Sequence, residues 1–230
     1  MTTLTSLLDH LYEGDVVDTA DLARVSDTNP RSVARWKAEA ATPRRDAEER
    51  LLVAVFASPW AGVHDVYVGA DALSLTRRAQ VAKPAIMGEL LWALYPGPTD
   101  RWDDANVVRV KLYAGALASV TKNALLNGAN AFAIESDGGE WEIIQARNAV
   151  LVAPGEYELS GFLRGQLASA HAMRSPHPVG TRIVKLDTNL QRLPLQSYEW
   201  GELLSFVVPP AGALAGDPRS TTLDLTPPHA

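Results

Sequence analysis

Hydrolysis of a glycosidic bond needs two carboxylates held a few ångströms apart across a sugar. Two groups in this chain have the composition for it: Asp103-Asp104, and Glu135 with Asp137 and Glu140. Their settings favour other work. Asp103-Asp104 follows Trp102 and precedes a β-branched run, the place of a turn or cap, while the second group flanks Asp137-Gly138-Gly139, a tight-turn sequence whose acids face water. The five histidines are scattered, and His171 and His177 stand six apart across Pro176 with no acid between them, which sets them in a surface loop rather than around a metal. Cysteine is absent, which excludes a thiol nucleophile, a thiolate-bound zinc or iron–sulfur site and a disulfide scaffold. No nucleophile elbow, Walker loop or G-x-G-x-x-G occurs. The chain is therefore read as non-enzymatic, with no catalytic residue, cofactor or metal expected. Trp60, Tyr67, Trp92, Trp102 and Trp141 are read mainly as core, with some at carbohydrate or subunit contacts.

The elements that position these residues change character near residue 58. Before it, "TSLLDHLYEGD", "TADLARVSD", "NPRSVARWKAE" and "PRRDAEERLLVAVFAS" place apolar residues at three-to-four spacing and predict four short helices. Asn29-Pro30 and Thr42-Pro43 supply N-caps, each followed by a proline at the first helical position. After it, short β-branched and aromatic runs alternate with Gly and Pro and predict strands. "ESDGGEW" and "APGEY" mark two turns, which together predict a three-strand meander from Ala131 to Arg164. "AIMGELLWAL" is read as a short helix or a strand and "GQLASAHAM" as a short helix. The expected fold is α+β: an all-α head over 1–58 and a β-rich, mostly antiparallel body over 59–230, with the boundary inside 57–62.

A hydrophobic fraction of 47% with 21% charged residues describes a packed, globular chain. The opening residues lack the basic and apolar segments of a signal peptide, and no uncharged run is long enough to span a bilayer. The chain is expected to stay out of the membrane and to be cytoplasmic during assembly. A net charge of −6 leaves any nucleic-acid contact to a local patch.

One such patch is "SVARWKAEAATPRRDAEERLL". From Thr19 onward the order of Leu22-Ala23, a turn at Asp27, then Val33 and Trp36 resembles a lambda-repressor-like helix-turn-helix, and more narrowly the amino-terminal part of antitoxins of the Xre/MbcA/ParS type. The resemblance implies DNA contact through residues 19–50, with Arg31, Ser32, Arg35 and Lys37 as candidates for bases or phosphates. Asp27 stands where that family usually has Gly, and residues 1–58 hold seven Lys/Arg against ten Asp/Glu.

Three phrases further on carry a longer likeness. "RWDDANVVRVKLYAGALASV", "ALLNGANAFAIE" and "WEIIQARNAVLVAPGEYELSGFLRGQ", within a likeness that begins near "SPWAGVHDVYV" and covers residues 59–230, resemble the carboxy-terminal region of the large tail-tip protein of gene transfer agents and related siphophages, the host specificity or baseplate hub protein. Its motif residues here are Trp102, Asn127, Gly128, Asn130, Trp141, Gly155, Gly161, Arg164, Gly165 and Gln166. On residue grounds Asn127, Gly128 and Asn130 form a bend into a strand, Tyr157, Leu159, Gly161 and Leu163 share one strand face, and Arg164 emerges at the strand end. The resemblance implies a structural role in a phage-like tail tip, with other tail or baseplate subunits as partners and homo-oligomers as one form of that association. The rival reading is a prophage-encoded, antitoxin-like DNA-binding regulator.

Overall fold

The computed structural model describes residues 2–8, 50–71, 73–199, 201–213, 217 and 219–225. Thirteen strands and a single α-helix, α1 (Lys122–Leu126), occur among the described residues, and the strands fall into two compact units.

One unit is assembled from both ends of the chain, residues 2–8, 50–85 and 187–225. β1 (Thr2–Leu8) runs antiparallel to β2 (Arg50–Ala57), in register from Thr2 opposite Ala57 to Leu8 opposite Leu51, and β2 also pairs with β11 (Gln191–Pro194). The second sheet of this unit has the order β13-β12-β3-β4, from β3 (His64–Gly69), β4 (Thr76–Val81), β12 (Leu204–Val208) and β13 (Thr221–Leu225). Leu51, Val53 and Val55 share one core with Val66, Val68, Phe206 and Val208 of that sheet.

These strands overturn the expected α+β fold with a helical head. "RLLVAVFA" reads as the end of a helix by spacing, yet it is the central strand of its sheet, with Val53, Ala54, Val55 and Phe56 all buried. A continuous apolar run buried on both faces has no period by which helix and strand can be told apart. The β-branched Val53 and Val55 and the partner strand Thr2–Leu8 decide it. The expected recognition helix, with Arg31, Ser32, Arg35 and Lys37, lies outside the described residues.

The other unit, residues 86–186 of the described chain, is a closed antiparallel barrel of order β10-β5-β6-β9-β8-β7. Its strands are β5 (Met87–Leu90), β6 (Asp103–Leu112), β7 (Ala131–Glu135), β8 (Trp141–Ala153), β9 (Glu156–Gln166) and β10 (Arg182–Lys185). β7, β8 and β9 are the expected meander. "ESDGGEW" turns through a short 3-10 segment, Asp137–Gly139, with Gly139 at φ +87°, and the second turn uses Gly155 at φ +71°. "AIMGELLWAL" supplies strand β5, and "GQLASAHAM" only the 3-10 turn Ser169–Ala172. A six-stranded barrel is narrow enough for side chains alone to fill it. Val108, Val110, Leu159, Phe162, Ile144 and Phe132 do so.

Gly88 sets the distance between β5 and β6. A Cβ on it would lie 1.9 Å from the Lys111 carbonyl oxygen, a backbone atom with no rotamer by which to yield. Gly88→Ala is expected to destabilise the chain by about 1–3 kcal/mol in urea unfolding, the range for overpacking a close-packed site. A loss below about 0.5 kcal/mol, the size of an ordinary surface change, would contradict this packing.

Candidate functional site

Four ionisable side chains meet at one end of the barrel. Glu142 enters near the start of β8, on the face that carries Ile144 and Ala146 into the core, and Arg164 comes from near the end of β9, two residues after core Phe162. Asp103 opens β6, and His177 lies in the segment before β10, where it bridges to Leu94. The antiparallel order of the strands makes these positions neighbours at the same barrel end. The side chains of Glu142, Arg164, Asp103 and His177 are all 0% exposed.

The geometry saturates Glu142. Arg164 Nε donates to Oε1 and Nη2 to Oε2, both at 2.8 Å, in the paired fork of an arginine–carboxylate bridge. The Gly165 amide adds a bond to Oε1 at 3.2 Å and His177 Nε2 one to Oε2 at 2.7 Å, so each oxygen has two donors. The remaining guanidinium nitrogen, Nη1, donates to the Tyr95 carbonyl at 2.8 Å and lies 3.5 Å from Asp103 Oδ2. Asp103 in turn accepts from the Asn106 amide at 3.1 Å and from its side chain at 2.7 Å. His177 Nδ1 faces the Glu135 carbonyl at 3.2 Å. Burial acts to raise the Glu142 carboxyl, but the hydrogen bonds from His177 and Arg164 together with their charge outweigh it and hold the group below its ordinary value of 4.5.

Such a cluster has the ingredients of acid–base chemistry and the wrong access. Sugar cleavage requires two carboxylates open to a substrate. Here Asp103 and Glu142 face one guanidinium between them, and no solvent reaches any of the four groups. Asp103 does both: its Oδ1 caps the Asn106 amide three residues on, as the turn reading expects, and its Oδ2 belongs to the buried ion cluster. Asp104 stays exposed, 3.7 Å from Arg147. Glu135 is held by Arg182, Asp137 by Arg174 at 2.9 Å, and Glu140 lies 3.9 Å from His171. Among the described residues no set of three His, Asp or Glu side chains is gathered as a metal site.

The residues that carry the tail-tip resemblance separate into four groups. Arg164, Gly165 and Gln166 belong to the cluster, the last by donating from Nε2 to the Arg164 carbonyl at 3.0 Å. Asn127, Gly128 and Asn130 build the bend from α1 into β7: Asn127 caps the helix, Gly128 sits at φ +90°, and Asn130 at φ +51° donates to the Ala118 and Ala146 carbonyls. Gln145, from β8, fastens the same bend through the Leu125 and Ala129 carbonyls. Trp102 and Trp141 are half-buried, and Arg147 and Lys122 lie over the Trp102 ring at 5.4 and 5.7 Å from its centroid. Gly155 and Gly161 hold positive φ, Gly161 directly beneath the Arg147 guanidinium.

Two expectations are corrected here. Arg164 does not emerge from its strand, because Gly161, at φ +67°, breaks the alternation of β9: Tyr157 and Leu159 before it and Phe162 and Arg164 after it all enter the interior. His177 is not in a surface loop, since the bridge to Leu94 carries its ring under Glu142, whereas His171 is exposed. Glu142 is legible in the sequence only as an acid on the strand face of Ile144 and Ala146, and that lone acid on an apolar face is its signal.

Removing Arg164 leaves two buried carboxylates without their cation, so Arg164→Met is expected to cost about 3–5 kcal/mol in chemical unfolding. A cost below about 1 kcal/mol would contradict the burial. Because the native Glu142 carboxyl titrates below its unfolded value, its contribution is full above pH 4.5 and lost as pH falls through the native value. Glu142→Gln should therefore flatten the slope of stability against pH below 4.5, and an unchanged slope would contradict the assignment.

No curated protein matches the chain. Among the described residues no helix is long and apolar enough to cross a membrane. Residues 85–184, which are the span of the barrel, match the family model described as Rcc01698-like, C-terminal.

Proposed function

We propose that the chain is a non-enzymatic structural component of a phage-like tail tip, working by contact with other tail or baseplate subunits. The observation that carries this reading is the coincidence of the matched span, 85–184, with a single closed barrel. The same span contains the phrases that resemble the carboxy-terminal region of the tail-tip hub protein, and the residues of those phrases serve bends, strand crossings and a sealed ion cluster. Chemistry-bearing groups are spent inside. Outside, the barrel carries Trp92, 43% exposed, with the Arg109 guanidinium 4.6 Å from its ring centroid and Glu158 paired to Arg109. A partly exposed aromatic with a charged partner is the composition of a protein-contact anchor.

Expression of the tagged full chain in cells that produce the particle, followed by gradient separation of tails and immunogold labelling, tests this. The chain should co-sediment with tails and label one end. Its recovery only among unassembled proteins would contradict the reading. Trp92→Ala should lower incorporation about tenfold or more while leaving the unfolding transition in place, as expected for an interface anchor rather than a core residue.

A further inference from the structure

We infer that Trp102, Arg147 and Lys122 form a binding site for an oxyanion, a carboxylate or phosphate group, on the outer surface of the barrel. Three separate stretches bring these residues together: Trp102 immediately precedes β6, Arg147 lies on β8 and Lys122 opens α1. The Arg147 guanidinium carbon is 5.4 Å and the Lys122 ammonium 5.7 Å from the centroid of the Trp102 ring, each within cation–π range. Gly161 of β9 makes room for the first of them. A Cβ on residue 161 would lie 3.3 Å from Arg147 Nε and Nη2, so bare backbone is the floor beneath the guanidinium.

Two like charges gathered at one ring oppose folding unless an opposite charge answers them. Elsewhere on the barrel that answer is close: Arg109, Lys111, Arg164, Arg174 and Arg182 each have a carboxylate oxygen within 3.2 Å. Arg147 has only Asp104, 66% exposed and 3.7 Å away, which is beyond hydrogen-bond reach, and Lys122 has no carboxylate partner among the described residues. Neither of the two cationic side chains donates a hydrogen bond to a described residue, and the Trp102 indole N–H, closed to solvent, meets no acceptor there either. Donors and positive charge are thus in local excess, in a chain whose net charge is −6. That excess identifies the ligand. Two cations against one carboxylate are neutralised by one singly charged oxyanion, and a guanidinium fork beside an ammonium is the donor set that carboxylates and phosphates take. A neutral or apolar ligand would leave both the charge and the donors unanswered. This inference concerns the barrel alone and holds whether or not the chain enters a tail.

Each of the six tryptophans gives one indole N–H resonance, so the site carries its own reporter. With the full chain at neutral pH and the ionic strength held constant with sodium chloride, the assigned Trp102 resonance is followed by NMR against sodium phosphate in one titration and sodium glucuronate in another. At least one of the two should shift it saturably, with a half-point of about 1–10 mM, and the anion that does so identifies phosphate or carboxylate as the group held. Arg147→Gln and Lys122→Gln should each raise that half-point about tenfold while leaving the unfolding transition in place. Arg174→Gln, which removes a cation already paired with Asp137, should leave the half-point unchanged. A Trp102 resonance that shows no saturable shift with either anion up to about 50 mM overturns the proposal. So does a saturable shift whose half-point is the same in both Gln variants as in the unmodified chain, because the anion is then held elsewhere.

Discussion

The bidentate pair between Glu142 and Arg164 is the constraint on which the barrel depends. Two opposite charges removed from water lose several kcal/mol of solvation each, and they are tolerated only where every remaining donor and acceptor is met. The chain meets that requirement with backbone as much as side chain. The Gly165 amide and the Tyr95 carbonyl are both ligands of the pair, and Gly97 lies so close to Asp103 that a Cβ there would stand 2.1 Å from its Oδ2. Strands β6, β8 and β9 and the segments holding Tyr95 and His177 are thereby joined at one point.

A buried ion pair is a poor source of net stability compared with a hydrophobic pair of the same volume, and its better-attested use is to select one arrangement over its competitors. The barrel gives it such a use. A strand slipped by one residue turns every side chain to the other face. Such a slip in β9 would carry Arg164 out of the barrel and leave Glu142 buried without its cation. The positive-φ bend at Gly161 brings Arg164 inside, so bend and ion pair specify the same register. The sealed cluster also separates the barrel's interior, which holds the shape, from its exterior, where Trp92 is partly exposed.

What the sequence reveals of this follows from the range of the forces involved. Turns are local: Gly139 and Gly155 are legible from their neighbours, and the meander of β7, β8 and β9 with them. The bend through Asn127, Gly128 and Asn130 is legible for the same reason. β2 is not, because a strand buried on both faces has lost the alternation that would name it, and its neighbour β1 lies more than forty residues earlier in the chain. Arg164 misleads because parity is counted straight through Gly161. His177 misleads because its bridge to Leu94 spans most of the barrel's sequence. Only Glu142 left a usable trace, an acid on the apolar face of "WEIIQA", and such a trace names a buried cation without saying where it comes from.

A double-mutant cycle on Glu142→Gln and Arg164→Met measures the central interaction most directly. If the pair is the buried, mutually dependent unit described here, each single change leaves a partner stranded and the double change removes both, so the unfolding free energies should be non-additive by about 2–3 kcal/mol. Additivity within about 0.5 kcal/mol would contradict the account, because it would mean that Glu142 and Arg164 contribute to the barrel independently.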